Sequence, residues 1–262
     1  MNSLLYAALG TGFTFLMTAI GAAVVFFLRR QGTHGTRRVT LGFAAGVMIA
    51  ATIWSLLLPA IDRAQALGQL GWLPATGGLL IGSAFLVVLE ILTERIRETI
   101  YSSVSSPAMS HKTTLLLTAI TLHNIPEGMA VGLSFALAAQ SGNQVLLLGA
   151  ISLALGIGIQ NMPEGAAIAL PLRDEGMSKF KAFFIGAMSA IVEPLFGILT
   201  VFIVSVAQPL MPWLLAFAAG AMLFVTLREL IPEACCADAN FIGTMSVLLG
   251  FILMMILDVA LG

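Results

Sequence analysis

The feature that most constrains this chain is a series of long apolar runs separated by short polar breaks. The runs occupy residues 4–28, 40–61, 73–92, 114–138, 145–172, 180–206, 213–234 and 241–261. A helix needs roughly 20 apolar residues to cross a bilayer, so each run is long enough to do so. We therefore predict an all-α integral membrane protein with eight transmembrane helices. Residues 1–262 are expected to form a single polytopic domain.

Charge excludes several classes of function. Only 10% of the 262 residues are charged, against about 25% in an average soluble domain. Eight spans leave no room for a soluble catalytic domain, so we predict that the chain is not an enzyme and needs no cofactor. The net charge of -1 gives nucleic acid no electrostatic attraction. The adjacent Cys235 and Cys236 provide no disulfide framework.

The basic residues predict the orientation in the membrane. Cytoplasmic loops carry an excess of Lys and Arg, and ten of the 12 basic residues follow spans one, three and five: Arg29, Arg30, Arg37, Arg38, Arg95, Arg97, Lys112, Arg173, Lys179 and Lys181. Alternating spans bring these three loops to one side, which predicts that both termini lie outside the cytoplasm. The short loops suit a bacterial inner membrane.

Two internal matches indicate a repeat. His-Asn-Ile-Pro-Glu-Gly-Met-Ala at 123–130 matches Gln-Asn-Met-Pro-Glu-Gly-Ala-Ala at 160–167, and Phe-Ala-Ala-Gly at 43–46 recurs at 217–220. The members of each pair cross the predicted membrane in opposite directions, which is typical of transporters with inverted repeats. Glycines four residues apart, at 42 and 46, 78 and 82, and 128 and 132, predict close helix packing.

Ionisable side chains at the centre of a membrane helix are costly and usually functional. Three glutamates occupy such positions, and neighbouring polar residues share the same helix faces: His123, Asn124, Glu127, Gln160, Asn161, Glu164 and Glu193. Pro126 and Pro163 lack the N–H that an α-helix needs, so spans four and five are predicted to kink and leave bare carbonyl oxygens. Such backbone is tolerated only where protein or water lines it.

The composition of this cluster favours a cation. Three carboxylates at this depth repel one another, and no Lys or Arg of the cluster neutralises them. A divalent metal supplies the missing charge, and mixed nitrogen and oxygen ligands suit zinc, iron, manganese, cobalt or cadmium. A proton relay without metal, or a structural polar network, remains an alternative.

The paired His-Asn-x-Pro-Glu-Gly and Gln-Asn-x-Pro-Glu-Gly motifs, with Glu193-Pro194, resemble the ZIP family of divalent-metal transporters, and its GufA-like branch in particular. The resemblance implies import of zinc and related metals into the cytoplasm through two metal sites that share both motif glutamates. It implies that the first site uses Met48, His123, Glu127, Gln160 and Glu164. It implies that the second uses Asn124, Glu127, Asn161, Glu164 and Glu193.

The resemblance also implies a route. Asp62 matches an acidic position at the external entrance, and Glu229 matches one on the exit path. Arg228 departs from the family, in which many members carry histidine, so it is expected to weaken an exit site or to form an ion pair. Spans two, three, six and seven are expected to move against the others.

A homodimer is compatible with the sequence. An intramembrane metal-dependent hydrolase and a proton-coupled carrier of an organic solute are the alternative functions.

Overall fold

A computed structural model describes residues 3–27, 34–103, 111–206, 208–235 and 241–261. The secondary structure of these residues is helical, without a β-strand. The α-helices are α1 Ser3–Ala23, α2 His34–Ala51, α3 Leu58–Ala66, α4 Trp72–Ser103, α5 His111–Ser141, α6 Gln144–Asp174, α7 Lys179–Met188, α8 Val192–Val206, α9 Met211–Val225, α10 Ile231–Cys235 and α11 Ile242–Leu261.

The helices confirm an integral membrane protein. Within the described residues, seven segments are long and apolar enough to cross a bilayer: Ser3–Phe26, Arg38–Ala66, Trp72–Leu92, Gln144–Asp174, Lys179–Val204, Met211–Cys235 and Ile242–Ala260. They coincide with all the predicted spans except the fourth. That span corresponds to α5, which is 31 residues long and packs against α1, α6, α8 and α9.

Two spans contain a π-helical turn at matching places. The turn Thr52–Leu57 joins α2 to α3, and Thr226–Leu230 joins α9 to α10. Thr52 and Thr226 are separated by the same interval as the two Phe-Ala-Ala-Gly segments, and a proline follows each turn, at Pro59 and Pro232. The second sequence repeat thus extends into a matching distortion of the backbone, of a kind often found at functional sites.

The sixth span is broken, although its sequence predicted one continuous helix. Its two parts, α7 and α8, are separated by a turn at residues 189–191. Pro194 has no N–H for the carbonyl of Ala190, and the N–H of Glu193 bonds that oxygen instead at 3.0 Å. By contrast, α5 and α6 remain helical on both sides of Pro126 and Pro163. The bend at those two prolines stays a prediction.

Close packing at the paired glycines is confirmed. A Cβ added at Gly46 would overlap the backbone of α11 at Val247, and one at Gly82 would overlap the backbone of α9 at Phe217. A Cβ at Gly132 would meet the backbone of α8. Since these contacts involve main-chain atoms that cannot rotate away, the glycines let the helix axes approach more closely than any other residue would allow.

Packing sorts the helices into two groups. One contains α1, α5, α6, α7 and α8, and the other contains α2, α3, α4, α9, α10 and α11, with α11 against α2 and α4 against α9. The predicted grouping of spans two, three, six and seven against the others is therefore wrong for the sixth and the eighth span. The sixth span packs with the first, fourth and fifth, and the eighth packs with the second.

Candidate metal centre

The side chains of the paired motifs meet inside the first group of helices. Asn124, Glu127, Gln160, Asn161 and Glu193 are fully buried, and Glu164 is 5% exposed. They come from α5, α6 and α8. Buried carboxylates that lack both charge partners and hydrogen bonds are rare in folded proteins, so the contacts that hold this cluster indicate what it can bind.

Neutral amides link two of the three carboxylates across helices. Gln160 Nε2 of α6 donates to Glu127 Oε1 of α5 at 2.6 Å. Asn161 Nδ2 of α6 donates to Glu193 Oε1 of α8 at 2.9 Å. The amides orient both carboxylates without adding a charge to the cluster.

The break in the sixth span orients the asparagine of the first motif. The N–H of Glu193 bonds Ala190 instead of the carbonyl four residues back, which belongs to Ser189. Asn124 Nδ2 donates to that Ser189 oxygen at 3.3 Å. The turn that separates α7 from α8 therefore leaves the Ser189 oxygen available as an acceptor for Asn124.

The asparagine of the second motif is held in a corresponding way. Asn161 Nδ2 donates to the carbonyl oxygen of Thr14 of α1 at 3.3 Å. Four residues after each asparagine, the motif glycine meets a further carbonyl of the same neighbour: Gly128 meets Glu193 and Gly165 meets Thr18. The packing of α5 on α8 thus repeats in α6 on α1, and the motif repeat includes the partner helices.

One oxygen of each of five motif side chains remains without a hydrogen-bond partner. The five atoms are Asn124 Oδ1, Glu127 Oε2, Gln160 Oε1, Asn161 Oδ1 and Glu193 Oε2. A buried polar atom left unsatisfied costs about 1–3 kcal/mol. Such atoms are what a bound cation would use, and carboxylate and amide oxygens are ordinary ligands of divalent metals. Within the described side chains, no group of three or more His, Cys, Asp or Glu residues is arranged to hold a metal ion.

Met48 and His123 are the two remaining residues of the predicted sites, and the structure describes the side chain of Met48 only. Met48 of α2 is buried, and the hydroxyl of Thr226 lies 3.6 Å from its sulfur. The α2 helix packs against α6. His123 belongs to α5, one turn before Glu127, but its side chain lies outside the part that the structure describes.

The residues of the expected route lie outside this cluster. Asp62 is exposed on α3, and Glu229 is half-buried in the π-helical turn after α9. Arg228 Nη2 lies 3.6 Å from Glu90 Oε1 of α4. The ion pair expected for Arg228 therefore forms with Glu90 of α4.

A further buried carboxylate, outside the motif cluster, was missed by the sequence analysis. Asp258 of α11 is 7% exposed and accepts a hydrogen bond from the Ser55 hydroxyl at 2.8 Å. It lines a cavity of about 180 Å³ with Trp54, Ser134 and Leu146. In the sequence, Asp258 stands near the end of the last apolar run. Only the fold brings it beside Ser55, so no local sequence pattern could identify this pair.

Comparison with known proteins decides the family. The model of the ZIP zinc transporter family matches residues 102–258. Zinc transporter ZIP11 of Homo sapiens is 34% identical, and the match covers 100% of this chain and 98% of the relative. The chain belongs to the ZIP family. Its members are transporters, which sets aside the intramembrane hydrolase.

Two bacterial relatives of the ZIP family support the predicted branch. Zinc transporter ZIPB of Bordetella bronchiseptica is 37% identical over 98% of this chain and 82% of its own length. Zinc transporter GufA of Myxococcus xanthus is 36% identical over 85% of this chain and 86% of its own length. The resemblance to the GufA-like branch of the ZIP family is confirmed.

Proposed function

We propose that this ZIP-family chain imports divalent transition-metal cations, zinc foremost, through the centre between α5, α6 and α8. The supporting observation is the set of five buried oxygens without partners on Asn124, Glu127, Gln160, Asn161 and Glu193. They lie beside carboxylates whose hydrogen-bond donors are neutral amides. A divalent cation would satisfy both the open oxygens and the uncompensated charge. Iron, manganese, cobalt and cadmium are further substrates of this proposal.

We assign the ligands to two adjacent ions. One ion is held by Met48, His123, Glu127, Gln160 and Glu164. The other is held by Asn124, Glu127, Asn161, Glu164 and Glu193. The amides tether Glu127 and Glu193 through one carboxylate oxygen each, which leaves the other oxygen for a metal. Because amides are weak metal ligands, they allow the ion to leave.

The proposed route connects this centre to both sides of the membrane. The cavity beside Asp258 and Ser55 adjoins both helix groups, and with Asp62 it forms the external side of the route. Glu229 lies on the cytoplasmic side, where Glu90 engages the guanidinium of Arg228. We propose that the two helix groups move against each other to alternate access.

We propose the following topology for the complete chain. It is a single domain in a bacterial inner membrane, with α5 as the fourth of eight spans and both termini outside the cytoplasm. The basic loops after the first, third and fifth spans support this orientation. Pro126 and Pro163 bend their helices beside the centre. A homodimer remains part of the proposal.

Zinc uptake into proteoliposomes tests the function directly. The purified chain is reconstituted with an enclosed zinc-sensitive dye, and protein-free liposomes provide the control. Saturable dye signal after external zinc is expected only with the protein. No uptake above the control, with a thermal stability that an organic solute raises and zinc does not, would instead support the carrier of organic solutes.

Replacing Met48 by leucine is expected to change metal preference. The substitution keeps a similar volume but removes a soft thioether, which favours cadmium and zinc over manganese. We expect the half-saturating cadmium concentration to rise roughly 10-fold, equivalent to about 1.4 kcal/mol, while that of manganese changes little. The measurement is competition of each metal with zinc uptake.

Met222→Leu is the matched control for Met48→Leu. Met222 occupies the repeat-related position, is also buried, and lies in the same apolar core. It is expected to keep the metal preference of the unmodified chain. Equal preference in both variants would remove Met48 from the ligand set.

A further inference from the structure

A threonine hydroxyl on one span contacts the sulfur of Met48 on another. Thr226 Oγ1 donates to Met48 Sδ at 3.6 Å, and both side chains are at most 1% exposed. Met48 belongs to α2, whereas Thr226 is the first residue of the π-helical turn after α9. The contact therefore holds a proposed metal ligand from outside its own helix.

The repeat shows which part of this interaction is unusual. Thr52 stands at the start of the other π-helical turn, and its hydroxyl donates to the carbonyl of Met48 at 2.7 Å. Thr226 makes the corresponding local bond to the carbonyl of Met222, at 2.8 Å. Bonding the carbonyl one turn back is common for a threonine inside a helix. The contact with the Met48 sulfur is therefore what Thr226 adds to the repeated pattern.

Met48 stands on the part of α2 that packs beside the centre. The α2 helix contacts α6, and Val47 lies 3.4 Å from the position of a Cβ added at Gly156. Gly156 is one turn before Gln160 in α6, whose Oε1 is one of the five oxygens without a partner. Among the proposed ligands, Met48 is the one that the second helix group contributes. Its sulfur is also the one soft donor of the set.

The chemistry of a thioether explains why such a contact matters. Methionine has three rotatable side-chain bonds, so an unrestrained sulfur would take up many positions. A sulfur that accepts from Thr226 through one lone pair keeps the other for a metal. Glu127 and Glu193 are held in a comparable way, because a neutral amide engages one oxygen of each carboxylate.

We propose that Thr226 is a positioning residue that holds the Met48 sulfur for an incoming ion and thereby sets the preference of the centre for soft metals. The proposal rests on the proposed transport function and identifies a determinant of its metal selectivity. The hydroxyl proton rotates between its acceptors, and the Met222 carbonyl is the second of these. A metal that draws the sulfur away from Thr226 therefore leaves no buried donor unpaired.

Thr226→Val tests the hydrogen bond, because valine keeps the shape of threonine and removes the donor. We expect the half-saturating cadmium concentration to rise about 3-fold, the effect of one weak hydrogen bond. The half-saturating manganese concentration and the maximal rate of zinc uptake are expected to change little. Thr226→Ser returns the donor and is expected to restore the cadmium value of the unmodified chain.

Thr200→Val is the matched control for Thr226→Val. Thr200 is also buried, and its hydroxyl donates to the carbonyl of Gly197 in its own helix at 2.9 Å. The substitution removes a buried hydroxyl without touching Met48, so the preference for cadmium over manganese is expected to remain unchanged. A cadmium value that rises equally in both variants would overturn the proposal, as would one that rises in neither.

The same substitution in a chain without the sulfur separates positioning from damage to the fold. If Thr226 acts through Met48, adding Thr226→Val to Met48→Leu is expected to leave the cadmium value of Met48→Leu unchanged. A further rise of about 3-fold in that background would overturn the proposal. A Met48→Leu chain that keeps the metal preference of the unmodified chain would overturn it as well.

Two further measurements keep this test separate from other failures. If Thr226→Val does not reach the membrane, Thr226→Ala is measured in its place, with the same expected pattern in both backgrounds. Unaltered zinc uptake in Glu127→Ala and Glu164→Ala would contradict the proposed function, whereas a changed cadmium preference in Thr226→Val depends on the Met48 sulfur alone.

Discussion

Glu127→Ala is expected to abolish zinc uptake, with a loss of at least about 100-fold. Removal of one member of a buried charged pair costs about 3–5 kcal/mol, and Glu127 is assigned to both ions. The same substitution also frees the amide of Gln160, which now donates to Glu127. Glu164→Ala is expected to have an effect of similar size. The measurement is the initial rate of zinc uptake into proteoliposomes at matched protein content.

Two further variants control for charge and for damage to the fold. Glu127→Gln retains the shape of the side chain but removes its charge, and it is expected to be nearly as inactive as Glu127→Ala. Asp174→Ala removes an exposed acid at the end of α6 and is expected to transport normally. Normal uptake by both Glu127→Ala and Glu164→Ala would show that this cluster does not hold the transported ion.

Gly165→Ala is expected to separate α1 from α6 and to reduce both stability and transport. The added Cβ would overlap the carbonyl oxygen of Thr18, and overpacking of this kind costs typically about 1–3 kcal/mol. Asn161 is one turn away, so its bond to Thr14 would lengthen with the helix separation. We expect a lower Tm in detergent and an uptake rate reduced about 10-fold or more.

Gly149→Ala makes the same substitution in the same helix without a clash. No atom of a neighbouring element lies within 4 Å of the position that the new Cβ would occupy. The change is expected to be neutral or to stabilise α6 by up to about 1 kcal/mol, because alanine favours a helix more than glycine. Similar Tm and uptake values for Gly165→Ala and Gly149→Ala would contradict the proposed role of the α1–α6 contact.

The sequence predicts the apolar spans and the polar motif residues inside them well, because both depend on local patterns. A long apolar run is visible without knowing its neighbours, and acids inside such runs are conspicuous. Glycines four residues apart likewise predicted the close packing that Gly46, Gly82 and Gly132 confirm. The paired motifs identified the buried polar residues of α5 and α6 before their contacts were known.

The contacts between distant elements were not predictable in this way. The pairing of Arg228 with Glu90 and of Asp258 with Ser55 depends on how spans far apart in sequence pack together. The break in the sixth span had a local cause in Pro194, but prolines also occur within α5 and α6, which remain helical. A proline alone therefore does not determine whether a helix ends, since tertiary contacts decide where the unbonded carbonyl finds a donor.

The acceptors that orient Asn124 and Asn161 are main-chain oxygens of Ser189 and Thr14. Substituting either of those side chains leaves the carbonyl in place, so a mutational scan of residues near the ion would overlook these acceptors. For Asn124, the more informative position is Pro194. An alanine there would supply an N–H to Ala190 and return the N–H of Glu193 to Ser189. The orientation of a side chain on one helix would then depend on which backbone hydrogen bonds another helix forms within itself.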